Sequence, residues 1–187
     1  MSSSRVAVLV GSLRRGSLNR MMASTAREVA PAGMELVDIA IGDLPLYNQD
    51  LDTDAPPAAW KRFRDEMRAC NAVLFVTPEY NRSVPGLLKN AIDVGSRPYG
   101  QSIWSGKPAA VISVSPGALA AFGANQHLRQ SFVFLDMPAL QQPEAYIGNA
   151  AKLFDEKGRM TNDDTREFVR KFMAAFAQWI GKTGRAS

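Results

Sequence analysis

The sequence predicts a doubly wound α/β fold, in which a parallel sheet has helices on both of its faces. Two observations predict it. Short apolar segments alternate along the chain with longer segments of helical periodicity, which is the pattern of β-α-β units. The central apolar segments are continuous, as in residues 72–76 (AVLFV), and continuous runs are typical of strands buried on both faces. Because no repeat or linker interrupts the pattern, we expect residues 1–187 to form a single domain.

Three strands and two helices are predicted in the first part of the chain. The first strand covers residues 5–10 and ends at Gly11. A helix follows over about residues 17–29, because Ser17 is a favourable N-cap and Pro31 ends the helical pattern. The next elements are a strand over 34–39, an irregular segment over 42–57, a helix over 58–70 and a strand over 72–76.

Two strands and three helices are predicted in the second part. Pro85 is suited to the start of a helix over 86–94. Two acidic residues, Asp163 and Asp164, favour the start of the closing helix over about 161–180, since they complement its dipole. The elements between them are a strand over 109–114, a loop of small residues over 115–123, a helix over 124–134 and a last strand within 139–146.

The composition argues against several classes of protein. Hydrophobic residues make up 46% of the chain and charged residues 21%, which is typical of a folded globular protein. The net charge is +4, but the basic residues are scattered, so we expect no nucleic-acid partner. No apolar stretch is long enough for a membrane span, and the N-terminal one is too short for a signal peptide. A single cysteine cannot form an intramolecular disulfide, so we expect a cytoplasmic protein.

The chain offers few groups for metal binding or nucleophilic catalysis. His127 is the only histidine, so a multi-histidine metal site is excluded and we expect no metal. It lies in a helical segment, where a structural or surface role is expected. Cys70 ends a helix beside a buried strand and is expected to be a small core residue.

The loop after the first strand is the most informative segment for function. It is polar, contains glycines and leads directly into a helix, whose free N–H groups and positive dipole end favour an anion. The loop lacks the second glycine of G-x-G-x-x-G, and Ser17 stands where a P-loop has lysine. Hydroxyl groups and Arg14 remain, which suit a single terminal monophosphate. The alternative is an ordinary strand-to-helix turn capped by Ser17.

Two further loops follow predicted strands, over residues 77–85 and 115–123. If the strands before these three loops are neighbours, the loops meet at the carboxyl edge of the sheet, where ligands bind in open α/β folds. Pro78 and Pro85 stiffen the second loop, and Tyr80 offers a ring face or a hydroxyl. Such a loop can present its backbone to a planar heterocycle; the alternative is a rigid turn with a capping asparagine.

Three motifs in these loops resemble the NADPH-dependent FMN reductase family, most closely its branch of quinone, chromate and azo reductases. They are G-S-L-R-x-x-S-x-N-R at 11–20, T-P-E-Y-N-x-S-x-P-G-x-L-K-N-A-I-D-x-x-S-R-P at 77–98 and S-x-S-P-G at 113–117. With the final helix, the resemblance covers essentially the whole chain. It implies a flavodoxin-like fold of five parallel strands in the order 2-1-3-4-5, with non-covalently bound FMN.

The resemblance also implies which residues hold the cofactor. The phosphate loop corresponds to Ser12, Arg14, Ser17, Leu18 and Asn19. The loop along the flavin ring corresponds to Pro78, Glu79, Tyr80 and Asn81, and the third loop contributes Ser115 and Gly117. After Gly117 the sequence departs from many relatives, which have further glycines and an arginine there. We therefore expect different ring contacts beyond this point, with Phe122 near the flavin.

The activity that the resemblance implies is a ping-pong oxidation of NADPH or NADH. No protein residue is expected to be catalytic, because the flavin N5 carries the chemistry. Electrons then pass to a quinone, an azo compound, a free flavin or a metal oxyanion such as chromate, with Arg15, Arg82 and Phe122 as candidate substrate contacts. The alternative function is a flavodoxin-like electron carrier for a protein partner. Relatives form dimers and tetramers through the region of residues 85–100, so self-association is expected.

Overall fold

The computed structural model describes residues 4–184, so both ends of the predicted domain, residues 1–3 and 185–187, lie outside the described residues. Its five strands form one parallel sheet in the order β2-β1-β3-β4-β5, which confirms the predicted fold. The register places Val6 of β1 opposite Leu36 and Ala72 on its two neighbours. The strands are β1 (Ser4–Val10), β2 (Met34–Asp38), β3 (Ala72–Thr77), β4 (Ala109–Val114) and β5 (Ala145–Ile147).

Helices cover both faces of the sheet. They are α1 (Leu18–Glu28), α2 (Ala58–Arg68), α3 (Gly86–Gly95), α4 (Phe122–Phe134) and α5 (Asp163–Thr183). Alternate residues of the strands face two separate cores, as the period of two requires. One core packs the sheet against α2, α3 and α4 and contains Trp60, Phe75 and Phe132; the other packs it against α1 and α5. Cys70 is 3% exposed and belongs to the first core, as predicted.

The caps explain where most helices begin. Ser17 precedes α1, and its hydroxyl accepts the Arg20 N–H at 3.2 Å. Asn162 precedes α5 and accepts the Thr165 N–H at 2.8 Å. Prolines stand before the other two early helices, α2 and α3, and their fixed φ suits the first turn of a helix.

Four elements differ from the prediction by two residues or more. Helix α2 ends two residues earlier than predicted, and α5 begins two residues and ends three residues later. Helix α4 begins at Phe122, two residues before the predicted start, although no side chain of its own segment caps it. Strand β5 (Ala145–Ile147) overlaps only the last two residues of the predicted range and extends one residue beyond it. Earlier in that range Ala139 makes an isolated bridge to Ala109. Pro143 lacks an N–H group, which prevents a continuous ladder between the two segments.

The irregular segment over residues 42–57 is anchored through α2 and α3. The Asn90 side chain accepts the Tyr47 N–H at 2.8 Å and donates to the carbonyl oxygens of Leu44 and Pro45 at 3.2 and 3.0 Å. The Tyr47 ring stacks on Trp60 with 5.4 Å between the ring centroids. These contacts give a defined backbone position to a segment whose one regular element is the short 3-10 helix Gln49–Leu51.

A buried ion pair anchors the same segment at its far end. Arg64 of α2 donates to the Asp52 carboxylate at 2.9 Å, and both side chains are only 5% exposed. The Arg64 Nε also donates to the Val94 carbonyl at 3.0 Å, and its guanidinium lies 5.6 Å from the centre of the Trp60 ring. Since a buried charge needs partners, this arrangement ties residue 52 to both helices.

No helix between residues 4 and 184 has both the length and the hydropathy required to cross a bilayer.

Candidate cofactor site at the carboxyl edge of the sheet

Three loops meet at the carboxyl ends of β1, β3 and β4, which are neighbours in the sheet. They are loop 1 (residues 11–17), loop 2 (residues 78–85) and loop 3 (residues 115–121). The Gly11 N–H donates to the Val76 carbonyl at 2.8 Å. A Cβ at Gly11 would lie 3.0 Å from Pro78 Cδ and 2.6 Å from Leu88 Cδ1, so loop 1 and loop 2 pack closely where they leave the sheet.

Loop 1 and the first turn of α1 present a run of free backbone donors. Within residues 4–184, the N–H groups from Ser12 to Asn19 donate to no acceptor of the protein. The Ser17 hydroxyl acts as the helix cap, which both the phosphate site and the ordinary turn allow, and its oxygen still has a proton to donate. Ser12 and Ser17 are buried, Leu18 is half-buried, and Arg14 and Arg15 are exposed beside them.

Asn19 carries a buried acceptor without a partner. Its side-chain Oδ1 makes no hydrogen bond to the described residues, although the residue is only 5% exposed. A buried polar atom left unpaired is costly, which points to a partner that is not part of the protein. FMN fits this arrangement, because its phosphate needs several N–H donors and its ribityl hydroxyls can donate to an amide oxygen.

Loop 2 contains a tight turn that displays two polar side chains. Tyr80 and Ser83 exchange backbone hydrogen bonds of 3.2 and 3.0 Å. The residues between them have positive φ, 51° at Asn81 and 66° at Arg82, as a type I′ turn requires. Both side chains are exposed, and Tyr80 is 50% exposed. The turn therefore projects from the edge of the sheet with Tyr80 at its base.

Glu79 turns its carboxylate away from solvent and toward α4. Its Oε2 accepts the Ala124 N–H at 3.1 Å, and its Oε1 lies 3.7 Å from Arg82 Nη1. The side chain is 13% exposed. The carboxylate thus contacts protein through both of its oxygens.

Loop 3 is held by the segment that follows β5. The carbonyl oxygens of Ser115 and Gly117 accept N–H groups from Ala150 and Asn149 at 3.1 and 3.2 Å. The Ser115 hydroxyl accepts the Gly117 N–H at 3.0 Å. Two residues without the freedom of glycine, Ala120 and Ala121, then have φ near 55°, a left-handed conformation that costs an L-residue about 1–2 kcal/mol.

Phe122, the first residue of α4, packs on Tyr146 with 5.3 Å between ring centroids and is 53% exposed. The Tyr146 hydroxyl accepts from Gln126 Nε2 at 2.6 Å and donates to Glu144 Oε1 at 2.7 Å. Burial, followed by the hydrogen bond and charge of Glu144, raises the pKa of Tyr146 to about 12. The phenol is therefore neutral at physiological pH and supports the Phe122 ring.

Sequence reasoning missed the contacts between elements far apart in the chain. A Cβ at Gly123 would lie 2.8 Å from the Arg82 carbonyl oxygen, so this glycine lets α4 approach loop 2. The Ser83 hydroxyl and His127 Nδ1 are 3.0 Å apart, a structural role for the single histidine. Gly42 packs on Leu13 in the same way, since a Cβ there would lie 2.6 Å from Leu13 Cδ2. No motif signals these pairs.

Two cavities lie beside loop 1 and loop 2. One of about 600 Å³ lies between α1 and the end of β2 and includes Ser12. Another of about 480 Å³ lies between α3 and α4 and includes none of the predicted cofactor residues. Across residues 4–184, no three histidine, cysteine, aspartate or glutamate side chains are grouped as metal ligands would be.

Comparison with known proteins identifies several relatives of this chain. The family model of NADPH-dependent FMN reductases matches residues 4–152. A quinone reductase of Pseudomonas putida is 64% identical over 181 residues, which cover 97% of this chain and 96% of that protein. A 2-hydroxy-1,4-benzoquinone reductase of Burkholderia sp. is 44% identical over 176 residues, 94% of this chain and 96% of that protein. The solved flavoenzyme FerB, an NAD(P)H:acceptor oxidoreductase of Paracoccus denitrificans, has a TM-score of 0.90 and 44% identity, covering 97% and 99% of the two chains.

Proposed function

The chain belongs to the NADPH-dependent FMN reductase family, and from this premise we propose that it is a quinone reductase with FMN bound between loops 1, 2 and 3. It is an NAD(P)H-dependent FMN reductase, which favours the enzyme over the electron-carrier alternative. The reaction transfers a hydride (two electrons and one proton) from NAD(P)H and a second proton from solvent to a quinone, giving the hydroquinone and NAD(P)⁺. Bound FMN supplies the redox chemistry of both half-reactions.

The observation that carries the site is the buried, unpartnered oxygen of Asn19 beside the run of free N–H groups in loop 1. In this proposal the N–H groups and hydroxyls of Ser12 and Ser17 bind the phosphate, and the exposed Arg14 adds full charge. Leu18, half-buried in the first turn of α1, packs on the chain that joins phosphate and ring. Asn19 accepts a hydrogen bond from that chain.

Loops 2 and 3 are proposed to hold the ring. The backbone of Pro78 to Asn81 lies along one edge of the ring, and Ser115 and Gly117 lie along another. Tyr80 is half-exposed, so its ring is free to contact a planar acceptor. Phe122 is exposed to a similar extent and offers a second apolar face, while Arg15 and Arg82 attract anionic substrates.

A pair of asparagine variants tests the site. We expect Asn19→Leu to weaken FMN binding by about 1–2 kcal/mol, while the unfolding free energy of the FMN-free protein stays the same or rises. The matched control is Asn125→Leu: Asn125 is fully buried, accepts from Arg129 Nε at 3.0 Å and donates to Ser113 Oγ at 3.3 Å. This control should lower the unfolding free energy. Unchanged FMN affinity in Asn19→Leu contradicts the proposed site.

We also propose a kinetic order for the two half-reactions and a class of electron acceptor. If NAD(P)H and the acceptor occupy one crevice in turn, initial-velocity plots at several acceptor concentrations give parallel lines. The assay compares NADPH with NADH, and a benzoquinone with an azo dye, free FMN and chromate. A benzoquinone is expected to have the highest kcat/KM. Intersecting lines, or a preference for another acceptor by more than tenfold, refute the corresponding part of the proposal. We also propose a cytoplasmic location, because the single cysteine cannot form a disulfide within the chain.

Self-association is proposed through the ends of α3 and α4. Val133 and Phe134 are 84% and 81% exposed on α4, and Tyr99, after α3, is 89% exposed. Large apolar side chains exposed together are typical of protein interfaces. In contrast, Ile92 and Val94 within α3 are buried in the core and are not available for contact. Light scattering after gel filtration should give a dimer or tetramer, and Phe134→Glu should shift it toward monomer.

A further inference from the structure

The carboxylate of Glu79 caps a helix that belongs to a different part of the chain. Helix α4 starts after Ala121, which has no side chain able to cap it. The Glu79 Oε2 accepts the Ala124 N–H at 3.1 Å, although Glu79 lies 45 positions earlier in the sequence. Ala124 is in the first turn, where N–H groups lack partners within the helix and a negative charge is favoured by the helix dipole. Glu79 therefore supplies the missing cap.

Two further contacts fasten loop 2 to the same helix. The Arg82 carbonyl oxygen lies so close to Gly123 that a Cβ there would be 2.8 Å from it and 3.0 Å from Glu79 Oε2. One turn further along α4, His127 Nδ1 lies 3.0 Å from the Ser83 hydroxyl. Loop 2 is thus held against α4 from Glu79 to Ser83.

The segments joined by these contacts have unfavourable backbone conformations. Asn81 and Arg82 in loop 2, and Ala120 and Ala121 before α4, all have φ between 51° and 66°. Residues with a Cβ adopt such conformations only where surrounding contacts hold them, and they are concentrated at functional sites. The contacts that hold these four residues include the Glu79 cap.

We infer that Glu79 is a positioning residue: its carboxylate fixes loop 2 and the start of α4 in one arrangement, and so sets the distance between the two walls of the crevice. This inference rests on the proposed function, in which loop 2 lies along the flavin ring and Phe122 faces the acceptor. The cap contributes through geometry, since the carboxylate itself contacts Ala124 and Arg82.

The first test compares Glu79→Ala with Glu79→Gln in the FMN-loaded enzyme. The alanine variant loses the cap, and we expect its Kd for FMN to rise about tenfold or more and the visible absorption of its bound flavin to shift toward that of free FMN. Glutamine keeps an oxygen for the Ala124 N–H, so its Kd should stay within about threefold of wild type. Glu35→Ala is the control, because Glu35 is 62% exposed on β2 and distant from the three loops.

The second test disturbs the same contact from the helix side. Gly123→Ala retains the glutamate at position 79, but its Cβ crowds the Arg82 carbonyl oxygen and the Glu79 carboxylate and pushes loop 2 off α4, so it should reproduce the changes in Kd and absorption. Gly181→Ala in α5 is the matched control, since a Cβ there meets no atom within 4 Å. Because both variants break one contact, Glu79→Ala/Gly123→Ala should bind FMN within about twofold of the weaker single variant.

The results separate the inference from the proposed function. If wild-type enzyme binds no FMN, or Asn19→Leu binds it normally, the proposed site is wrong. If wild type binds FMN but Glu79→Ala matches it, the inference fails alone. The inference also fails if Glu79→Ala binds FMN weakly while Gly123→Ala binds it normally, since Glu79 would then act on the flavin directly. It fails too if the increases in Kd of the two single variants multiply in the double variant. If Glu79→Ala does not fold, the inference is tested by comparing the Kd for FMN of Gly123→Ala with those of Glu79→Gln and Gly181→Ala.

Discussion

The buried ion pair between Arg64 and Asp52 makes a sharp prediction about stability. Asp52→Ala removes one partner and leaves the guanidinium 5% exposed, with the Val94 carbonyl at 3.0 Å and the Trp60 ring as its remaining partners. Breaking a buried pair typically costs about 3–5 kcal/mol, because an uncompensated charge stays buried. Since Arg64 keeps two contacts, we expect the lower end of this range, about 3 kcal/mol.

Urea unfolding of the FMN-free protein measures this loss, because bound cofactor would add to the apparent stability. The control is Asp65→Ala. Asp65 forms an ion pair with Lys61 at 2.6 Å, but the two side chains are 50% and 71% exposed. An exposed pair of this kind contributes about 0–1 kcal/mol, so the control should remain close to wild type.

A double variant tests the physical reason. In Arg64→Met/Asp52→Ala neither charge is buried, so the desolvation cost disappears with the attraction and at least half of the lost stability should return. The reasoning is refuted if Asp52→Ala costs less than about 1 kcal/mol, or if the double variant is no more stable than Asp52→Ala.

Three further predictions concern the site and its surroundings. Arg14→Ala should weaken FMN binding by about 1.5–3 kcal/mol, measured by flavin fluorescence, and an unchanged Kd shows that Arg14 does not contact the phosphate. Since the pKa of Tyr146 is raised to about 12, the native state binds a proton that the unfolded state releases near pH 10. The stability that the Tyr146 phenol contributes below pH 10 should therefore be lost as the pH rises through about 12. In Tyr146→Phe the free energy of unfolding should fall less steeply with pH, and equal slopes in the two proteins contradict the raised pKa of Tyr146. Burial raises the pKa of the Cys70 thiol, so a disulfide reagent at pH 8 should modify it only in urea, and rapid reaction of the native protein refutes this.

The sequence predicts the sheet well because strands that are buried on both faces consist mainly of apolar residues. Strand β4 was predicted with the bounds that it has, Ala109–Val114, and β1 and β3 differ from prediction by one residue. The apolar runs of β1 and β3 are continuous, the run of β4 is interrupted only by Ser113, and each of the three ends at a polar loop. Helix α1 was predicted equally well, because its cap, Ser17, is adjacent to it in the chain.

The start of α4 could not be predicted, because its cap is not adjacent to it in the chain. The residues before it, Ala120 and Ala121, have neither the conformation nor the side chain of a usual cap, and the group that replaces one comes from Glu79 in another loop. The contacts that anchor residues 42–57 could not be predicted either, because they join residues that are distant in the chain. Asp52 and Arg64 are 12 positions apart in the chain and belong to no motif, and only the fold makes them buried partners.

The anchored segment over residues 42–57 also bears on the rate of turnover. It packs on loop 1 through Gly42 and Leu13, and Asn90, Trp60 and the pair at Arg64 hold it along its length. Because these contacts hold the segment along its length, we expect it to move little when a ligand binds beside loop 1. We therefore expect that motion of this segment does not limit the rate of turnover.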